Sequence, residues 1–387
     1  MKKKVTVLGN GLVGAVMALD LASDEKYEVT VCDADKARLQ KTKDDSGGRI
    51  SAKDDVDFSS PDSIASAVKG QDLVIGAVPG SLGYAMLGAV IRAGVSMSDI
   101  SFMAEDYREW DAEAKKRGVT TFEDAGVAPG SSSILIGYAC DMLDVVEDVT
   151  YYVTGLPTAP EAPFNYKLVF SPDDLIEEYV RPARTKRNGE VITVPALSGR
   201  KAINFDIPGV KLPEMEGFFT DGSRTLLDTI PSPNVTEYTL RYPGTADRME
   251  FLREIGIFDT EPVDVKGAKV RPRDLFGAIA YPKMRLGQGE NEFTFYHVEV
   301  TGKKDGKRLQ YRYSLYDERD MKTGYPSMSR TTGFTCVIVG RLIADGVLKM
   351  PGVNPPESIG KNHKAVEIFL EELKKRNVRI LDKIEEL

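Results

Sequence analysis

VTVLGNGLVGAVMALDLASDEKYEVTVCD, residues 5–33, decides how the chain is read. VTVLG (5–9) is a short apolar run of strand character, and GLVGAVMALDLAS (11–23) repeats its apolar residues at helical spacing. EVTVCD (28–33) is a second strand that closes on an acid. Between the first strand and the helix, GNGLVG (9–14) fits G-x-G-x-x-G, a weak signal by itself. Here it follows a strand, opens a helix, and has Asp33 placed 24 positions after its first glycine. That is the context in which a dinucleotide is held. Gly9 is expected to permit the tight turn, Gly11 to let the backbone approach a pyrophosphate, and Gly14 to let the helix pack on the strand. Asn10, Leu12 and Val13 complete the loop. A carboxylate at Asp33 accepts hydrogen bonds from a ribose 2′-hydroxyl and repels a 2′-phosphate, so NAD is expected over NADP. No arginine follows directly, since the next residues are Ala34, Asp35 and Lys36.

Outward from this motif the alternation continues. The DDSGGRISAKDD region is polar and leaves a third strand open. SPDSIASAVKG (60–70) offers Ser60 or Asp62 as N-cap with Pro61 near the first helical position, and closes on glycine. DLVIGAVP (72–79) reads as a buried strand and SLGYAMLGAVIRAG as a helix. SDISFM (98–103) and TTFEDAG (120–126) are further strands. Repeated βα units predict an α/β fold, a Rossmann-type doubly wound parallel sheet. After residue 150 the texture changes to alternating runs typical of antiparallel strands. YYVTG (151–155) is one, and NEFTFYHVEVTGKKDGKRLQYRYSLYD is a hairpin turning at Lys304-Asp305-Gly306. From about residue 327, SMSRTTGFTCVIVGRLIADG is an apolar helix that would cover a sheet face, and HKAVEIFLEELKKRN is an amphipathic last helix. The expected layout is a dinucleotide-binding domain at 1–127, an inserted α+β substrate domain at 128–325, and a return at 326–387.

At 387 residues the chain suits two domains rather than one core. A net charge of −8 gives no basic footprint for nucleic acid. Cys32, Cys140 and Cys336 lie far apart without a CxxC, which suits a reducing cytoplasm. LVIGAVPGSLGYAMLGAVI (73–91) is uncharged and long enough to span a bilayer, but Pro79-Gly80 divides it into a strand half and a helix half. No membrane association is expected. The start, MKKKVTVLGNG, has too short an apolar run for a signal peptide.

The inventory of reactive side chains is small. His297, in the hairpin, and His363, near the tail, have no acid or cysteine at ligand spacing, so a metal centre and a serine–histidine triad lack parts. Acid–base work falls to Asp, Glu, Lys, Tyr or water, which suffices where a nicotinamide carries the hydride. For a substrate carboxylate, Arg224 in TDGSRTLLDTI (220–230) and Arg241 in TEYTLRYPG (236–244) offer planar forks.

GNGLVG with Asp33, LVIGAVPG, ISFM, DAGVAPGSSSILIG, FSPDDLIEEYVRPAR, TLRYPGTADRMEFLREIGIF and MSRTTGF, in that order, resemble the saccharopine dehydrogenase-like oxidoreductases. The L-lysine 6-dehydrogenase branch is the most similar. The resemblance covers nearly the whole chain and implies a Rossmann domain with an inserted substrate domain, NAD(P), and a homodimer. It implies that DAGVAPG hands the chain to the substrate domain beside the nicotinamide. Ala77, Val78, Pro79, Asp124 and Gly126 would then join the first loop around the cofactor. Ser101, Phe102 and Ala128 would face the substrate, with Arg224 and Arg241 on its carboxylate and Asp124 as the candidate acid. Saccharopine reductases carry an aspartate immediately before the proline of this loop, whereas this chain has Ala128. That departure favours a smaller substrate, free lysine deaminated at its 6-amino group. Two alternatives stand beside it: reductive condensation of the saccharopine or carboxynorspermidine type, and a dinucleotide-sensing regulator without turnover.

Overall fold

The structure, a computed structural model, describes residues 2–387 apart from Gln288 and the side chain of Asp173. It divides into two compact units. The first runs to Asp141 and resumes at Ser329–Arg379, and the second comprises Met142–Met328 with Ile380–Leu387.

The first unit alternates β1 (Lys3–Leu8), α1 (Leu12–Ala22), β2 (Tyr27–Cys32), α2 (Lys36–Asp45), β3 (Ile50–Lys53) and α3 (Pro61–Val68). It continues with β4 (Leu73–Gly76), α4 (Gly80–Ala93), β5 (Met97–Asp99), α5 (Asp111–Arg117), β6 (Thr120–Phe122) and α6 (Ser131–Met142). Ser60 caps α3 by accepting from the Ser63 N–H, with Pro61 as its first residue, as the sequence predicts. The uncharged stretch at 73–91 resolves into β4, buried at every residue, and α4. Among the described residues no helix is long and apolar enough to cross a membrane.

The second unit begins with β7 (Val145–Pro157), α7 (Pro172–Val180), β8 (Ala183–Arg187), β9 (Glu190–Val194), β10 (Lys201–Ile203) and β11 (Met215–Phe218). Then come α8 (Leu226–Thr229), β12 (Val235–Arg241), α9 (Thr245–Glu254), β13 (Val263–Val265), β14 (Ala268–Val270), α10 (Pro272–Met284), β15 (Glu292–Lys304) and β16 (Lys307–Glu318). The chain closes with α11 (Ser327–Ala344), β17 (Gly352–Asn354), α12 (His363–Lys375) and β18 (Ile380–Glu386).

The first sheet has the order β3-β2-β1-β4-β5-β6-β17, parallel throughout. Strand order reverses between β1 and β4, so the loops leaving these two strands diverge at one point, where ligands of such sheets lie. The second sheet runs β10-β11-β12-β7-β15-β16-β18, and β8 pairs with both β12 and β9. β7 and β12 are parallel, and the other ladders are antiparallel. The β15–β16 hairpin turns on Asp305 and Gly306, both at positive φ, the two-residue geometry that matches strand twist. Leu175, Ile176 and Tyr179 of α7, Met249 of α9 and Phe276 of α10 pack with Phe293 and Phe295 of β15 in that unit's core.

The first crossover falls after α6, at Asp141/Met142, where the sequence places it at residue 127. Packing keeps α6 in the first unit: a side chain on Gly137 would lie 2.1 Å from the Glu357 carbonyl oxygen. The last residues depart from the expected return as well, because β18 pairs with β16 across Leu309–Leu315 in the second unit.

Candidate active site

The first loop is shaped by contact. A Cβ on Gly9, at φ 99°, would sit 2.4 Å from the Ala77 carbonyl oxygen, and one on Gly14 would sit 2.1 Å from that of Gly9. These glycines let β1, α1 and the turn after β4 close on one another. Gly11 differs, since among the described residues nothing beyond its own stretch of chain lies within 4 Å of its Cβ position. It occupies the N-cap position of α1 without a side-chain cap for the first-turn N–H groups. Leu12 is exposed, Val13 half-buried, and Asn10 buried with its amide oxygen accepting from Thr42 Oγ1 at 3.1 Å. Room beside the second glycine, with N–H groups at a positively polarised helix start, fits a pyrophosphate.

Asp33 stands at the end of β2 and anchors this loop. Its carboxylate accepts from the Asn10 N–H at 2.7 Å and the Asp35 N–H at 2.8 Å. Arg38, on the first turn of α2, reaches the same carboxylate at 3.3 Å and Asp35 at 2.9 Å. The sequence reading passed over Arg38 because it is not adjacent to Asp33. Spacing on the helix brings it back within reach. An acid that suits a ribose hydroxyl therefore sits beside a cation that suits a phosphate.

At the carboxyl ends of β4, β5 and β6 the structure collects the other residues expected around the cofactor. Ala77 donates its N–H to the Leu8 carbonyl, Val78 is buried, and Pro79 precedes α4. Ser101 is buried, its hydroxyl 3.1 Å from the Val78 carbonyl oxygen and 2.9 Å from Asp99 Oδ1. Phe102 lies against the start of α4, where a side chain on Gly80 would meet its carbonyl oxygen at 2.4 Å. Asp124 is buried at φ 54°, and Gly126 accepts the N–H of Ser131 that opens α6. Ala128 is half-buried and joined to Pro129 by a cis bond. Next to these lie two buried acids the sequence reading did not single out, Asp99 and Glu123. The signal was present, one acid at the carboxyl end of each of two otherwise uncharged strands.

The arginines belong to the second unit. Arg224 is half-buried at φ 48°. Arg241, at the end of β12, is buried; its guanidinium donates to Glu178, to the Tyr179 hydroxyl at 3.3 Å and to the Leu240 carbonyl at 2.8 Å, and lies 4.8 Å from the centre of the Tyr166 ring. Burial pushes the Glu178 carboxyl up, and Arg241 opposes it. On the same strand Glu237 accepts from Thr220 Oγ1 at 2.6 Å and from the Gly222 N–H at 3.0 Å, and burial pushes it up to about 7. His297 holds Ser314 Oγ at 2.8 Å and Glu299 at 3.4 Å, the partners of a structural histidine.

The profile of the saccharopine dehydrogenase NADP binding domain matches residues 5–122, and that of the saccharopine dehydrogenase C-terminal domain matches residues 126–378. The chain belongs to the saccharopine dehydrogenase family. It is 22% identical over 450 residues to the saccharopine dehydrogenase [NADP(+), L-glutamate-forming] of Pyricularia oryzae, covering 97% of each. It is 27% identical over 275 residues to the mitochondrial alpha-aminoadipic semialdehyde synthase of Bos taurus, across 67% of this chain but only 29% of that protein. The apo saccharopine dehydrogenase (L-Glu forming) of Saccharomyces cerevisiae shares the fold, with a TM-score of 0.79 at 21% identity over 99% of this chain and 100% of the other.

Proposed function

We propose that this family member is a nicotinamide-dinucleotide-dependent dehydrogenase acting on a C–N bond of lysine or of a lysine-derived secondary amine. The observation that carries the reading is the first loop, where Gly9 and Gly14 are forced by contact while Gly11 stands open at an uncapped helix start. Gly11 and the first-turn N–H groups of α1 would hold the pyrophosphate, and Asp33 the ribose. The bound dinucleotide supplies hydride exchange with carbon.

For the substrate, the reading with most support from the chain itself is the 6-amino group of L-lysine, oxidised with release of ammonia. Ala128 in place of an acid favours the smaller substrate. Ser101, Phe102 and Ala128 would border it, and Asp124 would orient the amine. NAD is the cofactor of this reading, and a homodimer in the cytoplasm its setting.

A second reading, saccharopine-type reductive condensation with NADP, has its own support. The full-length relatives are saccharopine dehydrogenases named for NADP(+), and Arg38 stands ready beside Asp33.

One assay separates them. The purified chain is supplied with lysine or saccharopine plus NAD or NADP, and in reverse with an aldehyde, glutamate and reduced cofactor, following absorbance of the reduced nicotinamide. Lysine-dependent reduction of NAD with ammonia release supports the first reading. Turnover of saccharopine but not lysine supports the second. Dinucleotide binding without turnover of any amine points to a sensor instead.

A further inference from the structure

The parallel register of β5 and β6 pairs Met97 with Thr121 and Ser98 with Phe122, so the next residues, Asp99 and Glu123, stand side by side. Neither is accessible to solvent, and the Asp99 carboxyl lies close enough to Glu123 to push its ionisation up. On the other side Asp99 is paired with Gly76 of β4, where any side chain would meet Asp99 Oδ1 at 2.1 Å and the end of Met86 at 2.7 Å. The sheet makes room for the acid by placing a glycine beside it. Asp99 Oδ1 accepts from the Ser101 hydroxyl at 2.9 Å. Among the described residues no hydrogen-bond donor reaches Asp99 Oδ2 or either carboxyl oxygen of Glu123.

The ionisable neighbours are Asp124, on the turn beyond β6, and Cys336, brought in by α11 with its Sγ 3.2 Å from Ser98 Oγ. α4 contributes the apolar Met86. Among the described residues no lysine or arginine forms an ion pair with either acid. Two adjacent carboxylates in such a place cannot both be charged, and a proton between them satisfies both.

We propose that Asp99 and Glu123 share one proton and serve as positioning residues for the cofactor end of the first unit. The pair holds the Ser101 hydroxyl, which also meets the Val78 carbonyl, while the Asp99 backbone carbonyl accepts the Ala125 N–H at 2.8 Å. This rests on the reading that a dinucleotide lies across these strand ends. Burial and mutual repulsion keep the pair protonated above the usual carboxylate range. Loss of the shared proton to solvent at alkaline pH would set the two charges against each other, release Ser101 and weaken dinucleotide binding.

The experiment titrates NADH and NADPH fluorescence with the intact chain, with Asp99→Asn and with Glu123→Gln, between about pH 5.5 and 9.5, and follows thermal unfolding over the same range. Either amide supplies a permanent donor where the shared proton lay. The wild-type Kd should rise about tenfold or more toward alkaline pH, since one pK unit of interaction is a factor of ten. Both amide variants should stay near the wild-type value at low pH. A wild-type Kd that does not change with pH, or a rise kept in both variants, overturns the proposal. If neither dinucleotide binds the wild type at any pH, the functional reading fails, and unfolding still decides the shared proton. The wild-type midpoint should then fall more steeply with pH than that of either variant. Glu237 and Glu292, each raised to about 7, contribute equally in all three proteins. Equal slopes reject the pair.

Discussion

Asp33 and Arg38 show how two neighbouring residues can carry opposed specificities. Asp33 is held rigidly by two backbone N–H groups, so it cannot turn away to admit a phosphate, whereas Arg38 lies on an exposed helix face and can. Replacing Asp33 with Ala is expected to raise the NADP-to-NAD ratio of kcat/KM by about tenfold or more, and Arg38→Ala to lower it, as steady-state kinetics with both cofactors would show. Glu237 makes a separate prediction about pH. Its folded-state value of about 7 lies above that of an unfolded glutamate, so the stability it contributes is complete in acid and is lost as pH rises through about 7. Glu237→Gln should therefore flatten the fall in thermal midpoint between about pH 5.5 and 8. The turn role of Gly9 and the packing role of Gly14 were legible in the sequence because local geometry sets them. Asp99 and Glu123 were not, since their meeting depends on which strands become neighbours and in what register.

Among the elements, α1 is tightly constrained by its surroundings. A methyl group at residue 14 has no place to go, because the Gly9 carbonyl is backbone and cannot swing aside. Gly14→Ala should lower stability by about 1–3 kcal/mol and abolish dinucleotide binding, read by thermal unfolding and fluorescence titration. Strands and helices with strong periodicity were read from sequence with little error: β1, β2, β4, the β15–β16 hairpin and α11 appear where the pattern puts them. Two edge strands were not. β17 is a three-residue segment that adds to the sheet through Gly352–Asn354, too short for any period to show. β18 follows an amphipathic helix and carries exposed charges, so its strand character comes from the free edge of β16 that receives it.

At the scale of the whole chain, the first unit is assembled from both ends of the sequence, and specific ion pairs tie the returning segment to the first helix. Asp20 of α1 receives Arg376 at 2.7 Å and Arg341 at 3.4 Å, with Asp20 and Arg376 each only 11% exposed at their side chains. Removing Asp20 takes one of two acidic partners from each arginine and leaves Glu372 for Arg376 and Asp24 for Arg341. Asp20→Ala is expected to cost roughly 1–3 kcal/mol in unfolding free energy, measured by chemical denaturation. A fragment ending at Asp141 lacks α11, β17 and α12 and should aggregate, whereas residues 2–141 joined directly to 329–379 should stay soluble and bind dinucleotide.

The sequence alone determined that this chain would build a parallel sheet with a glycine loop and an acid at the ends of its first two strands. Those features arise from contacts between residues close along the chain, where spacing and side-chain size leave few choices. Only the tertiary structure decided that α6 stays with the first unit, that the last strand joins the second, and that Arg241 is taken up by Glu178. It also decided that two acids on neighbouring strands meet in a buried place without a cation. Such pairings join residues far apart in the chain, and their energy depends on burial and register, which exist only once the strands have found their neighbours.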